Sequence, residues 1–330
     1  RIHGGSSRDY PKKSFRFDLS NGLTLPDNHN HIILRAEWND KTMMRNYIAM
    51  ETARYGTWLP VPQTEPVHFR VNQRYYGVMW KVERIDADFL RARALDRANY
   101  NLYEADPDNA CFVPGADLSP RASIEEYRCA YKLQKGTQDY TDLISLIETT
   151  LQLPEEQFAD VINDSLRVND LLIYFALMAV IQNQDHIKKN YYLYHTTSSA
   201  DNRWTIFPWD CELTFGHLWT AQYDVLDESI FTDGPLEFGA LTPPFNTLFV
   251  RLYNIPAYRK RFNEMVLHLV NTVFTETFVN NCIERILCKA SPDILADSNK
   301  RATNGEYLQR VDEIRQFVKS RRAWIQTQLQ

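Results

Sequence analysis

The sequence predicts an α+β protein, with a small β-rich N-terminal lobe and a larger, mainly helical C-terminal lobe. Three observations carry that expectation. Apolar residues alternate with polar ones in short runs before residue 85, the period of half-buried strands. Helical stretches dominate from about residue 122 onward. Between them, Val168 to Gly216 reads as a buried helix, a polar loop, a two-stranded hairpin and an acidic turn.

The elements follow in order. His3-Gly4-Gly5-Ser6-Ser7-Arg8 is a Gly/Ser turn, and Phe15, Phe17 and Leu19 mark the strand after it. Glycines and small side chains let backbone amides approach an anion, and Arg8, Lys12 and Lys13 add positive charge. The turn matches neither the P-loop nor the dinucleotide fingerprint, so on its own it also reads as a solvated surface turn. Ile32 to Leu34 is a second strand. Asp40 caps a helix that runs through Tyr55, carries Glu51, and ends at Gly56 in the position after the last turn. Val67, Phe69 and Val71, a turn through Asn72-Gln73-Arg74, and Val78 to Glu83 make a hairpin. Residues 1–85 are therefore expected to form one small sheet with one helix.

Residues 86–330 form the second part. Ile85 to Leu95 is expected to be helical and Tyr100 to Glu104 a strand. Residues 105–120 form a loop, and helices follow at about 122–134, 139–151 and 155–165. The helix from Val168 to Ile181 is apolar on nearly every face, so it must be buried. After Gly216 comes an irregular acidic segment, Asp224 to Glu237. It offers a place for a Lys/Arg- and Ser-rich substrate segment, against the plainer reading of a solvated loop. Helices resume at about 245–253, 256–274, 277–289 and 303–328.

Composition bounds the partners. The chain has 330 residues, 44% hydrophobic and 24% charged, with net charge −5. Bulk electrostatics do not draw such a chain to nucleic acid or anionic lipid. No apolar run reaches the roughly 18 residues of a membrane span. Five cysteines (Cys111, Cys129, Cys211, Cys282, Cys288) give an odd count and no CxxC pair, which argues against zinc. Buried thiols are the default, and one disulfide is compatible with the count. The chain begins Arg1-Ile2-His3, with neither Met nor signal peptide, as a trimmed or processed chain would. Nothing in the sequence fixes the oligomeric state.

The chemistry gathers at the hairpin. Tyr191 to Tyr194 and Trp204 to Phe207, paired antiparallel, bring the start of the first strand to the end of the second. Asn190 opens the first strand, Asp210 follows the second, and Asp185 lies on the incoming loop. Oxygen ligands of this kind suit Mg²⁺, with substrate phosphates completing the shell. In protein kinases the catalytic Asp precedes a metal-binding Asn by five positions, and a second metal-binding Asp follows a strand pair. Asp185 and Asn190 keep that spacing, and Asp210 keeps that order. The fold class is therefore α+β with a protein-kinase-like, two-lobed arrangement, although no HRD or DFG string is present.

Five sets of residues also resemble a known family. They are Gly4-Gly5-Ser6-Ser7-Arg8 with Tyr10-Pro11-Lys12-Lys13-Ser14-Phe15-Arg16; Asn39-Asp40-Lys41 with Arg45-Asn46; and Tyr76-Gly77 with Glu83. The remaining two are Asp185 with Asn190-Tyr191-Tyr192-Leu193-Tyr194, and Pro208-Trp209-Asp210 with Phe215-Gly216. Together they resemble the CotH family of spore-coat-protein-H-like atypical protein kinases. The resemblance is concentrated in residues 1–216. It implies an ATP- and Mg²⁺- or Mn²⁺-dependent Ser/Thr protein kinase of a spore coat, cell surface or other extracytoplasmic location, acting on a protein substrate. It implies Asp185 as the catalytic Asp and Asn190 and Asp210 as metal ligands. Lys13, or else Lys12, becomes the phosphate-binding lysine, and Ser6, Ser7 and Arg8 the phosphate-covering loop. Glu83 falls where a hinge meets the nucleoside, and Glu51 is a candidate partner for the lysine.

Two departures from the family pattern stand out. The family tends to carry Asp two positions after the metal Asp, and this chain has Glu212, still an oxygen ligand. The family's first strand lies before Arg1 or is absent, leaving the phosphate loop incomplete at this end. Two other readings stay open: a catalytically inactive kinase-like binding or adhesion module, and a nucleotidyl transferase on the same fold.

Overall fold

The computed structural model describes residues 1–329 except 20–22, 24–30, 96–98, 108–110, 112, 114, 137–138, 184, 187, 198–200 and 218–246. Strands β1 (Ile2–His3), β2 (Ser14–Asp18), β3 (His31–Arg35), β4 (Thr64–Val71) and β5 (Arg74–Val82) make one antiparallel sheet, in the order β1-β2-β3-β5-β4. The β4–β5 hairpin closes through Asn72 and Gln73, with φ of +49° and +65°. Two left-handed residues are what a tight two-residue hairpin turn requires, because its twist then matches that of the strands. On one face of this sheet Val78, Trp80 and Val82 join the main core. On the other, Leu34, Ala36 and Met79 pack with Phe15, Val67, Phe69 and Tyr76.

Helix α1 (Arg45–Gly56) starts later than the position of Asp40 suggests. The Asp40 carboxylate reaches forward, accepting the N–H groups of Thr42 (2.9 Å), Met44 (3.0 Å) and Arg45 (2.8 Å). It also pairs with the Arg45 guanidinium. Capping from outside satisfies the orphan donors of the first turn. Gly56 is the last helical residue rather than a left-handed terminator. Its missing side chain is needed for packing, since a Cβ there would collide with Leu269 and Val273.

A second antiparallel sheet has the order β7-β6-β8-β9, from β6 (Tyr100–Ala105), β7 (Tyr131–Lys135), β8 (Tyr191–Thr196) and β9 (Trp204–Pro208). Helix α2 (Ala87–Ala92) lies between the sheets in sequence and is capped by the Asp86 side chain. The expected helix at 122–134 is instead α3 (Ile124–Ala130) followed directly by β7. Pairing with β6 overrides local helical preference there, a common tertiary effect on short segments. The fully buried Tyr131 takes part in holding it, its hydroxyl accepting the Leu118 N–H at 2.9 Å.

Helix α4 (Thr141–Ile144) continues through a π turn (Ser145–Thr149) and a 3₁₀ turn (Thr150–Gln152) into α5 (Glu155–Ser165). Helix α6 (Val168–Ile181) buries 12 of its 14 residues, as its all-round apolar surface demands. Helices α7 (Thr247–Asn254), α8 (Pro256–Thr272), α9 (Glu276–Ala296) and α10 (Asn304–Gln328) complete the chain. α9 continues past the expected end at 289, carrying Pro292 inside it, because Ala290 and Ile294 are buried in the core. α8 packs against α6, and α9 packs against β4 and β5. One continuous apolar core links α1, both sheets and the C-terminal helices. Cys111 and Cys129 form a disulfide, Cys211 and Cys282 are buried thiols, and Cys288 is exposed. The acidic stretch Asp224 to Glu237 lies outside the described residues. No helix among the described residues is long and apolar enough to cross a membrane.

Candidate active site

The catalytic-loop candidate hangs from the end of α6. Gln182 turns the chain out of the helix with φ +52°, and Asn183 closes back on it through its N–H to Met178 O (2.9 Å). The Asn183 side chain then accepts the Asp185 N–H at 3.0 Å, fixing the loop locally. Asp185 Oδ2 accepts from Asn190 Nδ2 at 2.8 Å and pairs with Lys189 Nζ at 3.0 Å. Asn190 is itself held, with φ +64° and its N–H donating to Ala105 O at 2.8 Å. The hairpin register places Tyr191 opposite Pro208, so Asn190 and Asp210 flank the same end. Asp210 also adopts a left-handed backbone, φ +52°. Left-handed conformations cost free energy in residues other than glycine, and such strain clusters at functional sites.

Residues outside the sequence-derived set complete this end. Arg35, at the end of β3, points Nη2 at Asp210 Oδ1 (2.6 Å) and lies 3.6 Å from Glu212 Oε2. Its Nε is 3.2 Å from Glu37 Oε1. The Asp210 contact is an ion pair. Asn46 of α1 bridges the sheet and the acidic turn, its Oδ1 accepting the Cys211 N–H at 3.0 Å while Nδ2 donates to Glu37 Oε1 at 3.5 Å. His3 of β1 borders the same group. Burial, then Arg35 and Arg16, push its pKa down to about 4, opposed by Asp210.

The cluster is short of positive charge. Four carboxylates (Glu37, Asp185, Asp210, Glu212) face two cations, Arg35 and Lys189. Burial drives Glu37 up to about 7 against the pull of Arg35, with Asp210 and Asp40 adding to the rise. Burial, Asp210 and Glu37 hold Glu212 well above the usual carboxylate range. Burial also raises Asp185, opposed by Lys189. Glu37 Oε2 is buried with no N–H donor, and the Glu37 side chain lies in hydrogen-bond contact with the facing carboxyl of Glu212. Carboxylates held against one another in this way fit a hard divalent ion. Among the described residues no three His, Cys, Asp or Glu side chains are grouped to hold a metal by themselves. The fit is therefore to an ion that keeps part of its shell for ligand oxygens, as Mg²⁺ does. Arg35, Asp210 and Glu212 retain 16%, 21% and 18% side-chain exposure, so such an ion can reach them.

The N-terminal candidates divide. Ser6, Ser7 and Arg8 form a single 3₁₀ turn beside β1. Gly4 has φ +106°, and a Cβ there would collide with Ser7. Lys13 holds this turn, with Nζ donating to Arg8 O at 2.6 Å and its N–H to Tyr76 Oη at 2.8 Å. Lys12 is not available to an anion. It is fully buried, with Nζ bound to Asp297 Oδ2 (2.7 Å) and Val78 O (2.6 Å). Burial lowers its pKa against the pull of Asp297. Glu51 does not pair with either lysine; it contacts Arg54 and Arg285, each at 3.0 Å. Glu83 is engaged by Arg93 at 2.9 and 2.7 Å and accepts the Gln63 N–H at 2.9 Å.

Sequence reasoning brought Asp185, Asn190, Asp210 and Glu212 to one region and missed Arg35, Glu37 and Lys189. The available signal was Arg35-x-Glu37, charges of opposite sign closing an apolar strand.

Comparisons with known proteins agree with the motif reading. The family model described as CotH kinase protein matches residues 1–325. The chain is 25% identical over 331 aligned positions to the inner spore coat protein H of Bacillus subtilis (strain 168), covering 99% of this chain and 85% of that protein. Among solved structures it is similar to a chain in the Shewanella oneidensis MR-1 complex of HipA, HipB and operator DNA. That match has 12% identity and a TM-score of 0.45, covering 94% of this chain and 63% of the other. A likeness of that size supports no functional argument. The family match spans nearly the whole chain, and the chain therefore belongs to the CotH kinase protein family.

Proposed function

We propose that the protein is a Ser/Thr protein kinase that transfers the γ-phosphoryl group of ATP to a coat or surface protein. The observation that carries this is the Asp185–Asn190 hydrogen bond beside Asp210, at one end of a hairpin and inside a carboxylate cluster that lacks compensating charge. Phosphoryl transfer demands positioning and charge neutralisation more than covalent chemistry. That matches a site without an activated nucleophile of its own. The name of the Bacillus relative supports the coat as the location.

Asp210 and Asn190 would hold a divalent cation, with Glu212 beside them. Such an ion, when bound, offsets charge on the nucleotide phosphates. Asp185 faces the incoming hydroxyl and accepts its proton; burial already raises its proton affinity, which suits a base. Asn190 orients that carboxylate through Nδ2, and Lys189 keeps it charged until substrate arrives. Lys13 and the 3₁₀ turn supply the cationic side of the phosphate site. Lys12 has no part in it. In this reading residues 1–85 are the N-terminal lobe, residues 86–330 the C-terminal lobe, and the nucleotide lies between them.

Incubation with γ-labelled and, separately, α-labelled ATP plus Mg²⁺ or Mn²⁺ tests the reading. Transfer of γ-label alone to protein is the expected result. Transfer of α-label would make the protein a nucleotidyl transferase. Transfer of neither would favour a binding module, in which Arg35 permanently occupies the Asp210 carboxylate.

A further inference from the structure

Away from the acidic cluster, a cavity of about 730 Å³ opens between the segment after α1, the start of α6, the turn side of the β8–β9 hairpin, and α8. Arg54, Arg93, Arg167, Arg203 and Arg261 line it, against Asp170 and Asp201. Two of the five are neutralised from outside the cavity, Arg54 by Glu51 and Arg93 by Glu83. The other three are not matched one to one. Arg167 and Arg203 share the single carboxylate of Asp201, at 2.9 and 2.5 Å. Arg261 donates only to the neutral Asn169 Oδ1, at 2.8 Å, and no carboxylate among the described residues lies within ion-pair distance of it. Asp170 accepts from two neutral donors, Trp58 Nε1 (2.6 Å) and Thr205 Oγ1 (2.8 Å), so its charge stays in the wall and acts on Arg203, as does that of Asp164 beyond the lining; the three arginines thus face two carboxylates within the cavity.

Three further features point to an anionic ligand. Arg167 Nε is buried with no hydrogen-bond partner. Helix α6 begins at the cavity, with Val168 and Asn169 in the lining and no side-chain cap from Arg167. Its first N–H groups therefore border the cavity, where Asp170 in the same turn offsets part of the end's positive charge. Arg261 uses one of its several N–H donors and stands on a different wall from Arg203. Guanidinium donors converging from two walls match the several acceptor oxygens of a phosphate better than the two of a carboxylate. At the rim the Trp58 ring is 57% exposed and gives a peptide flank one apolar face to rest on, while the neighbouring Leu59 and Val61 are buried in the core.

We propose that this cavity is a second anion site that takes a phosphate monoester carried on a protein chain, apart from the transfer site at Asp185. That the phosphoprotein is a substrate or product of this same enzyme rests on the kinase reading above; the anion site itself does not. A kinase that holds an already phosphorylated stretch of its target would act repeatedly on one chain.

The test is equilibrium binding without ATP, so that it does not depend on turnover. The probes are a short peptide with one phosphoserine, its unphosphorylated twin, and inorganic phosphate. The proteins are the wild type, Arg261→Gln, Arg203→Gln and Asp185→Asn. The phosphopeptide is expected to bind the wild type and Asp185→Asn alike, and both arginine variants at least about tenfold more weakly. Arg261 is exposed, so Arg261→Gln should keep the wild-type melting temperature and its basal phosphorylation of an unphosphorylated peptide. Equal binding of the two peptides, or binding that neither arginine substitution weakens, would overturn the site. Inorganic phosphate binding as tightly as the phosphopeptide would overturn the protein-borne source. Phosphopeptide binding with no γ-label transfer would leave the site standing and remove the kinase reading.

Discussion

Asp185 and Asp210 are both carboxylates near one hairpin end, yet their partners differ. Asp185 is bound by an amide and an ammonium on its own loop. Asp210 meets a guanidinium from the first sheet. Under the proposed function, Asp185→Asn should lower phosphoryl transfer by about 10²–10⁴-fold while ATP still binds. Asp210→Ala should lose metal-dependent nucleotide binding itself. A labelled-nucleotide binding assay beside a transfer assay separates the two outcomes, and full transfer by purified Asp210→Ala would refute both roles. Asp185, Asn190 and Asp210 were legible because loop, strand start and strand end are local features of the sequence. Arg35 and Glu37 were not, because their partners lie far along the chain and only the tertiary fold brings them together. The same limit applied to Lys12 and Lys13. The two lysines are adjacent in the bend before β2, and nothing local says which one meets Asp297.

That pair of lysines gives a sharp test at the scale of elements. Lys12 joins the segment before β2 to the residue after α9, through an ion pair with no solvent exposure. Lys12→Met strands a buried carboxylate, which costs about 3–5 kcal/mol, so it should lower the melting temperature strongly. Lys13→Met should leave stability nearly unchanged and raise the KM for ATP. Thermal melts and nucleotide kinetics on both variants check this; the opposite pattern would return Lys12 to the phosphate site.

Strand β6 carries a half-buried carboxylate, Glu104, paired in register with Tyr192 of β8. Burial, then Asp106, lift its pKa from 4.5 to about 7. Because the folded value exceeds the unfolded one, this stabilising contribution is complete below about pH 4.5 and is lost as pH rises through 7. Glu104→Gln should therefore be more stable than the wild type at pH 8, on the order of 2 kcal/mol, and lose that advantage at pH 4. Denaturant titrations at the two pH values measure it. The β8–β9 hairpin and α6 were readable from their continuous apolar runs and the polar segments between them. β7 was not, since Tyr131 to Lys135 becomes a strand by pairing with β6 rather than by its own pattern.

Across the whole molecule, a single core ties the N-terminal sheet to the C-terminal helices, and Asp297 latches the end of α9 to both Lys12 and the Val78 N–H. The two proposed lobes are thus joined by the last third of the chain as well as by the link near residue 85. The Cys111–Cys129 disulfide clips the loop after β6 to α3, and that loop touches the catalytic-loop candidate through Ala116 N–H to Lys188 O at 2.6 Å. Closing a loop of this length contributes about 2–4 kcal/mol. Reduction should accordingly lower the melting temperature by a few degrees, seen in paired melts with and without reductant. An unchanged melting temperature would mean the bridge constrains little. The count of five cysteines allowed one bridge but could not choose its partners, which are separated by 18 positions and meet only through the fold.

The most direct measurement follows label from ATP into protein, using the wild type and Asp185→Asn side by side with Mg²⁺ or Mn²⁺. The account predicts γ-label on Ser or Thr with the wild type, almost none with Asp185→Asn, and no α-label with either. Transfer of α-label, or equal γ-transfer by the two proteins, would contradict it.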